Sequence, residues 1–264
     1  MNQKRSRIFY GWWIVGACFF ISLYLAGAVA LGFTAFVEPI ANEYGWSYAQ
    51  IALGASLRGA EVGILAPLIG LLTDRWGPRR LMFGGSFLLG LGLIFLSRTT
   101  SLGLFYGGFV VVAAGVSGLS PTVMMTAVAN WFWKNIGTAT GIMVSGFALG
   151  GLLVPAVVRL IDAFGWRPAF FILGVGMWVV GLPLSLLVRH KPEQYGYLSD
   201  GERSHTGFPG EGPVPAQIYD VHIGVKQALR SRAFWHIGLA IAFQFLAVNA
   251  LIVHIIPYLS SVGI

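Results

Sequence analysis

Charge and cysteine are both scarce in this sequence. Only 10% of its 264 residues are Asp, Glu, Lys or Arg, against 56% hydrophobic residues and a mean hydropathy of +0.74. A soluble domain carries about a quarter charged residues, so this composition excludes an ordinary soluble fold and makes lipid the solvent. One cysteine, Cys18, lies within an apolar run, which leaves neither a disulfide framework nor a thiolate metal cluster. No G-x-x-x-x-G-K-[ST] string occurs, which argues against an ATP-driven pump. The net charge of +7 is not gathered into a patch interleaved with aromatics, as nucleic-acid binding would require. No nucleic-acid partner, cofactor or metal is expected, and no enzymatic activity.

What is present is a series of apolar runs. A helix needs about 20 mainly apolar residues to cross the hydrocarbon layer. Seven stretches qualify: 11–37, 48–72, 81–96, 102–129, 139–158, 169–188 and 234–258. The third is short, and the long fourth is expected to bend near Pro121. The runs are continuous rather than alternating, which excludes spanning strands. The 36 glycines fit close helix packing, with seams expected at Gly59-x-x-x-Gly63 and Gly146-x-x-x-Gly150.

Basic residues orient the runs. With a cytoplasmic N-terminus, inside segments hold 13 Lys and Arg and outside loops hold 3, namely Arg98, Arg159 and Arg167. Positive charge collects on the cytoplasmic side, so the N-terminus is predicted to be inside. The first run outlasts a signal-peptide core and continues past Ala28-Val29-Ala30, so it is predicted to stay uncleaved.

The sequence also repeats. An offset of 88 residues lays Gly63, Pro67, Asp74, Gly77 and Arg79 on Gly151, Pro155, Asp162, Gly165 and Arg167, with 8 identities in the 21 positions from 63 to 83. Composition alone would give roughly one or two. Three spans separate the copies, so the second is expected to lie inverted in the membrane.

The string Gly70-Leu-Leu-Thr-Asp74-Arg75-Trp-Gly77-Pro-Arg79-Arg80 resembles the signature between helices two and three of the major facilitator superfamily, with Pro78 in place of its first basic position. The stretch from Leu160 through Asp162, Gly165 and Arg167 is similar to that family's loop before helix six. Gly11-Trp12, Trp131-Phe132 leading to Gly141 through Gly146, and Lys191-Pro192-Glu193-Gln-Tyr195-Gly196 resemble its monocarboxylate-transporter-like branch, including bacterial members.

The resemblance implies an all-α membrane protein: a six-helix N-terminal bundle with a 3+3 inverted repeat over 1–188, a cytoplasmic linker over 189–232, and a seventh span over 233–264. That span would begin a C-terminal bundle which the sequence does not contain. The expected location is a bacterial inner membrane. The implied activity is secondary transport of a small solute by alternating access, with a monocarboxylate or related organic anion and a coupling proton. A first half alone would lack the opposing bundle and is expected to be inactive. Ala30 falls where animal monocarboxylate transporters place a lysine. Gly70, Asp74, Arg75, Gly77, Arg79 and Arg80 would form a cytoplasmic latch to the other half, while the arginines also anchor the cytoplasmic side.

Polar residues inside spans supply the remaining candidates. Tyr24, Tyr106 and Ser145 are candidate substrate contacts, with packing roles as the alternative. Arg58 lies about 15 Å into the second span, near mid-bilayer. Glu61, three residues on, can serve as its counter-charge. The pair is either a self-neutralising structural couple or an anion contact with a proton carrier. His254 in the seventh span is a candidate proton relay or a wetted interfacial histidine. A competing function is an intramembrane serine protease, because Gly115-Val-Ser117-Gly118 matches a rhomboid string. Its base is missing, since the sixth span holds no histidine. A noncatalytic membrane scaffold is the third reading.

Overall fold

The computed structural model describes residues 9–189, 230–241 and 243–244, with the backbone alone at 58–62. The chain divides into two units, 1–204 and 205–264. Within the second, residues 232–241 and 243–244 are helical, and the rest of the predicted seventh span, with His254, lies outside the described residues.

The described part of the first unit consists of helices joined by short turns, with no strand among those residues. The first rod combines α1 (Gly11–Tyr24), a π-helical segment (Leu25–Leu31) and α2 (Thr34–Tyr44). Next come α3 (Tyr48–Trp76) and α4 (Pro78–Ser97). The fourth rod is α5 (Leu102–Gly118) with α6 (Pro121–Ala129). The fifth joins α7 (Ile136–Leu149), a 3-10 segment (Gly150–Leu153) and α8 (Val154–Phe164). The sixth rod is α9 (Trp166–Leu187). Five of these rods meet the length and apolarity needed to cross a membrane. At 29 residues, α3 is long enough as well.

Helix ends follow local chemistry. Ser47 and Gln50 form a capping box at the start of α3: the Gln50 N–H donates to Ser47 Oγ at 3.2 Å, and the Ser47 N–H donates to Gln50 Oε1 at 2.9 Å. At its other end, Gly77 (φ 77°, ψ 159°) stops α3 and starts α4 directly, with Pro78 in the first helical position. Gly165 (φ 83°, ψ 167°) performs the same turn between α8 and α9. This backbone region is essentially closed to residues with a Cβ. The two turns stand 88 residues apart, the offset of the sequence repeat.

The rods run longer than the apolar runs. The first continues to Tyr44 rather than ending at 37, and the third begins at Pro78 rather than 81, so its shortness disappears. Packing puts α4 against α9 and α5, α1 against α7, and α3 against α5. The Gly146 and Gly150 seam is present: a Cβ on Gly146 would lie 2.4 Å from the Phe19 carbonyl oxygen, and one on Gly150 2.8 Å from the Gly27 nitrogen. Of the expected Gly59 and Gly63 seam, Gly59 falls where the backbone alone is described, and a Cβ on Gly63 would meet nothing within 4 Å among the described residues.

Candidate functional site

Three rods lose α-helical geometry where they meet. In the first, the residues Leu25–Leu31 widen into a π-helix, and the Gly32 N–H donates to the Gly27 carbonyl at 2.9 Å. In the fourth, Pro121 has no N–H to give Ser117, so α5 tightens at its end and stops. The Leu119 and Ser120 N–H groups bond back three residues, and Ser120 turns extended (ψ 154°) before α6 begins. In the fifth, Pro155 leaves the Gly151 carbonyl without its usual partner, and the Val154 N–H takes it in a 3-10 turn. The π and 3-10 segments touch through backbone: a Cβ on Gly27 would lie 2.4 Å from the Gly150 carbonyl oxygen.

A cavity of about 190 Å³ opens beside this meeting point. Ala26, Val29 and Ala30 of the π segment form one wall. Val116, Ser120 and Pro121 at the fourth-rod break form another, and Phe147 of α7 a third. The walls are apolar apart from the Ser120 hydroxyl, which makes no capping bond. Sites of this composition bind small molecules through apolar contact and a few placed polar groups. Irregular helix geometry inside a membrane is tolerated where it lines a cavity. Among the described residues no three His, Cys, Asp or Glu side chains gather to hold a metal.

The sequence candidates fall elsewhere. The Tyr24 hydroxyl donates to the Leu173 carbonyl on α9 at 2.5 Å, tying the first rod to the sixth. Tyr106 donates to the Gln50 carbonyl at 3.0 Å, tying the fourth rod to the second. Ser145 donates within its own helix to the Ile142 carbonyl at 2.7 Å. None of the three lines the cavity. The Arg58 and Glu61 side chains, like His254, lie outside the described residues. Asp74 and Arg75 are exposed at the end of α3 and Arg80 at the start of α4, with Arg79 half-buried beside it. Asp74 has no ion-pair partner among the described residues, so its charge is free to meet another surface. Ser117 of the rhomboid-like string is buried, and a Cβ on its neighbour Gly115 would press the Leu89 backbone at 2.4 Å, so the string packs α5 on α4.

A sequence profile of the Major Facilitator Superfamily matches residues 8–264. The chain belongs to the major facilitator superfamily. It is accordingly a multi-pass membrane protein built from the helical rods described above. It is 25% identical to an oxalate:formate antiporter of Oxalobacter formigenes over 91% of this chain and 54% of that protein. It is 26% identical to human monocarboxylate transporter 2 over 97% of this chain and 54% of that protein, and 26% identical to monocarboxylate transporter 12-B of Danio rerio over 97% and 56%. The chain thus spans about half the length of the curated relatives it matches.

Sequence reasoning missed a second polar cluster at the far end of the first rod. There Trp166 Nε1 donates to Glu43 Oε2 at 2.6 Å, Arg167 pairs with Glu43 and donates to the Tyr44 hydroxyl, and Tyr44 donates to the Thr99 carbonyl. The Arg167 guanidinium lies 4.5 Å from the Trp166 ring centroid and 5.5 Å from that of Tyr44. The repeated D-x-x-G-x-R string pointed at Arg167, but nothing in the sequence paired it with Glu43.

Proposed function

We propose that this chain supplies the first six-helix bundle, and the start of the second, of a secondary transporter that carries a small organic anion by alternating access. The cavity where the π segment meets the fourth-rod break is the part of the transport path that this chain contributes. The observation that carries the reading is the meeting of two helix irregularities, the first-rod π segment and the fourth-rod break, at that cavity, in a member of this superfamily. The relatives named as monocarboxylate transporters and as an oxalate:formate antiporter point to a short carboxylate as the cargo.

In this reading, residues 1–188 are two three-span units related by inversion, a relation supported by the matching Gly77 and Gly165 turns. Residues 189–232 link the bundles and 233–264 begin the second. The N-terminus is cytoplasmic, in a bacterial inner membrane. Exposed apolar side chains at positions 53, 57, 64, 68 and 71 recur along one face of α3, and Ile64 has its repeat counterpart in Leu152. Their exposures of 77% and 74% leave room for a second bundle against the second and fifth rods. Gly70, Asp74, Arg75, Gly77, Arg79 and Arg80 latch that bundle at the cytoplasmic end. Tyr24 and Tyr106 act by holding helices together and Ser145 by a bond within its own helix, rather than by touching cargo.

Arg58 attracts the anion and Glu61 carries the coupling proton, with His254 a relay in the second bundle. An unpaired arginine near mid-bilayer costs about 2.5 to 3.5 kcal/mol, so the pair needs each other when cargo is absent. The test uses a form carrying both bundles in proteoliposomes, with labelled formate, lactate and oxalate as cargo. Glu61→Gln is expected to keep binding while losing pH-driven accumulation, and Arg58→Ala to weaken binding itself. Full proton coupling in Glu61→Gln would reduce Glu61 to a structural counter-ion.

A further inference from the structure

A second cavity, of about 350 Å³, opens where α4 ends and α9 begins, and Ser97, Arg98, Arg167, Pro168 and Phe171 line it. It lies at the end of the bundle remote from Gly11, apart from the cavity of the first and fourth rods. Its lining is almost wholly apolar, and two arginines of different character border it. Arg98 follows the last turn of α4, is exposed, and its side chain has no hydrogen-bond or ion-pair partner among the described residues. Arg167 is immobilised by Glu43, by the Tyr44 hydroxyl and by the Trp166 ring. Those contacts engage two of its five N–H donors, and three remain for an incoming acceptor.

Pro168 and the exposed ring of Phe171 contribute to the apolar lining, and Ile172 beside Phe171 is also exposed. Tyr44, Trp46 and Trp166 cluster at the same level. Tyrosine and tryptophan mark the depth of lipid headgroups, where arginine meets phosphate oxygens in strong charge-assisted hydrogen bonds. With Glu43 balancing Arg167, the cavity keeps one uncompensated positive charge, on Arg98.

We propose that this apolar cavity takes an acyl chain of an anionic phospholipid past Phe171, with the phosphodiester at its mouth, Arg98 as the main contact and Arg167 as a fixed second donor. Occupancy would tie the third and sixth rods together at their outer corner.

The test is native mass spectrometry of the detergent-purified chain titrated with phosphatidylglycerol, phosphatidylcholine or inorganic phosphate. One phosphatidylglycerol per chain is expected to be retained in preference to phosphatidylcholine. Arg98→Ala should weaken that binding about tenfold, the loss of one charge-assisted contact. Arg159→Ala removes the same charge from an exposed position on α8 outside the cavity and should leave binding within about twofold. Equal weakening by both variants would mean diffuse attraction and overturn the site. Displacement of the lipid by inorganic phosphate at equal concentration would show a free-anion site, and equal retention of phosphatidylcholine would remove the role of charge; either overturns the proposal. Arg98→Gln, read the same way, replaces the alanine variant if the latter folds poorly.

Discussion

Tyr44 joins three spans through one hydroxyl. It donates to the Thr99 carbonyl after the third rod and accepts from Arg167 at the start of the sixth, while its ring stacks on Trp46 with centroids 4.4 Å apart. Tyr106 makes a single comparable bond, to Gln50. A net hydrogen bond contributes about 1 kcal/mol, and more when one partner is charged. Tyr44→Phe keeps the ring and loses both bonds, so its melting temperature in detergent should fall below that of Tyr106→Phe. Equal melting temperatures would show that the cluster around Glu43 and Arg167 holds without the tyrosine. Tyr24 carries a related lesson. Its hydroxyl serves the Leu173 carbonyl, and an isolated polar residue in an apolar run does not disclose which face of the helix it occupies.

Among the elements, the first and fifth rods depend on each other at their irregular segments. A Cβ on Gly150 would stand 2.5 Å from the Ala26 Cβ and 2.8 Å from the Gly27 nitrogen, neither of which can swing aside. Gly150→Val should therefore destabilise the bundle by about 1 to 3 kcal/mol, the usual cost of overpacking. Gly141→Val, where a Cβ meets nothing within 4 Å, is the control. Thermal unfolding of the two in detergent checks this, and equal stability would show that the seam can open without cost. The sequence discloses the break at Pro121 and the turns at Gly77 and Gly165, because proline and glycine restrict backbone geometry on their own. It does not disclose the π segment. Nothing in Leu-Ala-Gly-Ala-Val-Ala-Leu distinguishes a π-helix from an α-helix, and the segment lies against a fifth-rod backbone more than a hundred residues away. Span ends were misread for another reason. Glu38 and Glu43 look like the end of the first run, yet a 34-residue rod of about 51 Å projects beyond a hydrocarbon layer of about 30 Å, so polar residues belong in its last turns.

At the scale of the molecule, three of the six helical rods in the first unit line a cavity, two of them with segments that depart from α geometry. The superfamily and its membrane setting were legible from composition, the Asp74 string and the repeat. The cavity wall was legible only at Ala30 and Pro121, since Ser120 and Phe147 carry no signal in isolation. The central claim is that this cavity lies on the path of a small carboxylate. It is tested by placing one cysteine at Ala30, and separately at Ser120, in a form with both bundles and with Cys18 changed to alanine. The rate of modification by a small water-soluble methanethiosulfonate is then followed with and without formate, lactate or oxalate. Protection of both positions by at least one of these anions, with no protection at Gly141→Cys outside the cavity, is the predicted result. Equal rates at Ala30 and Ser120 with and without every anion would contradict the account.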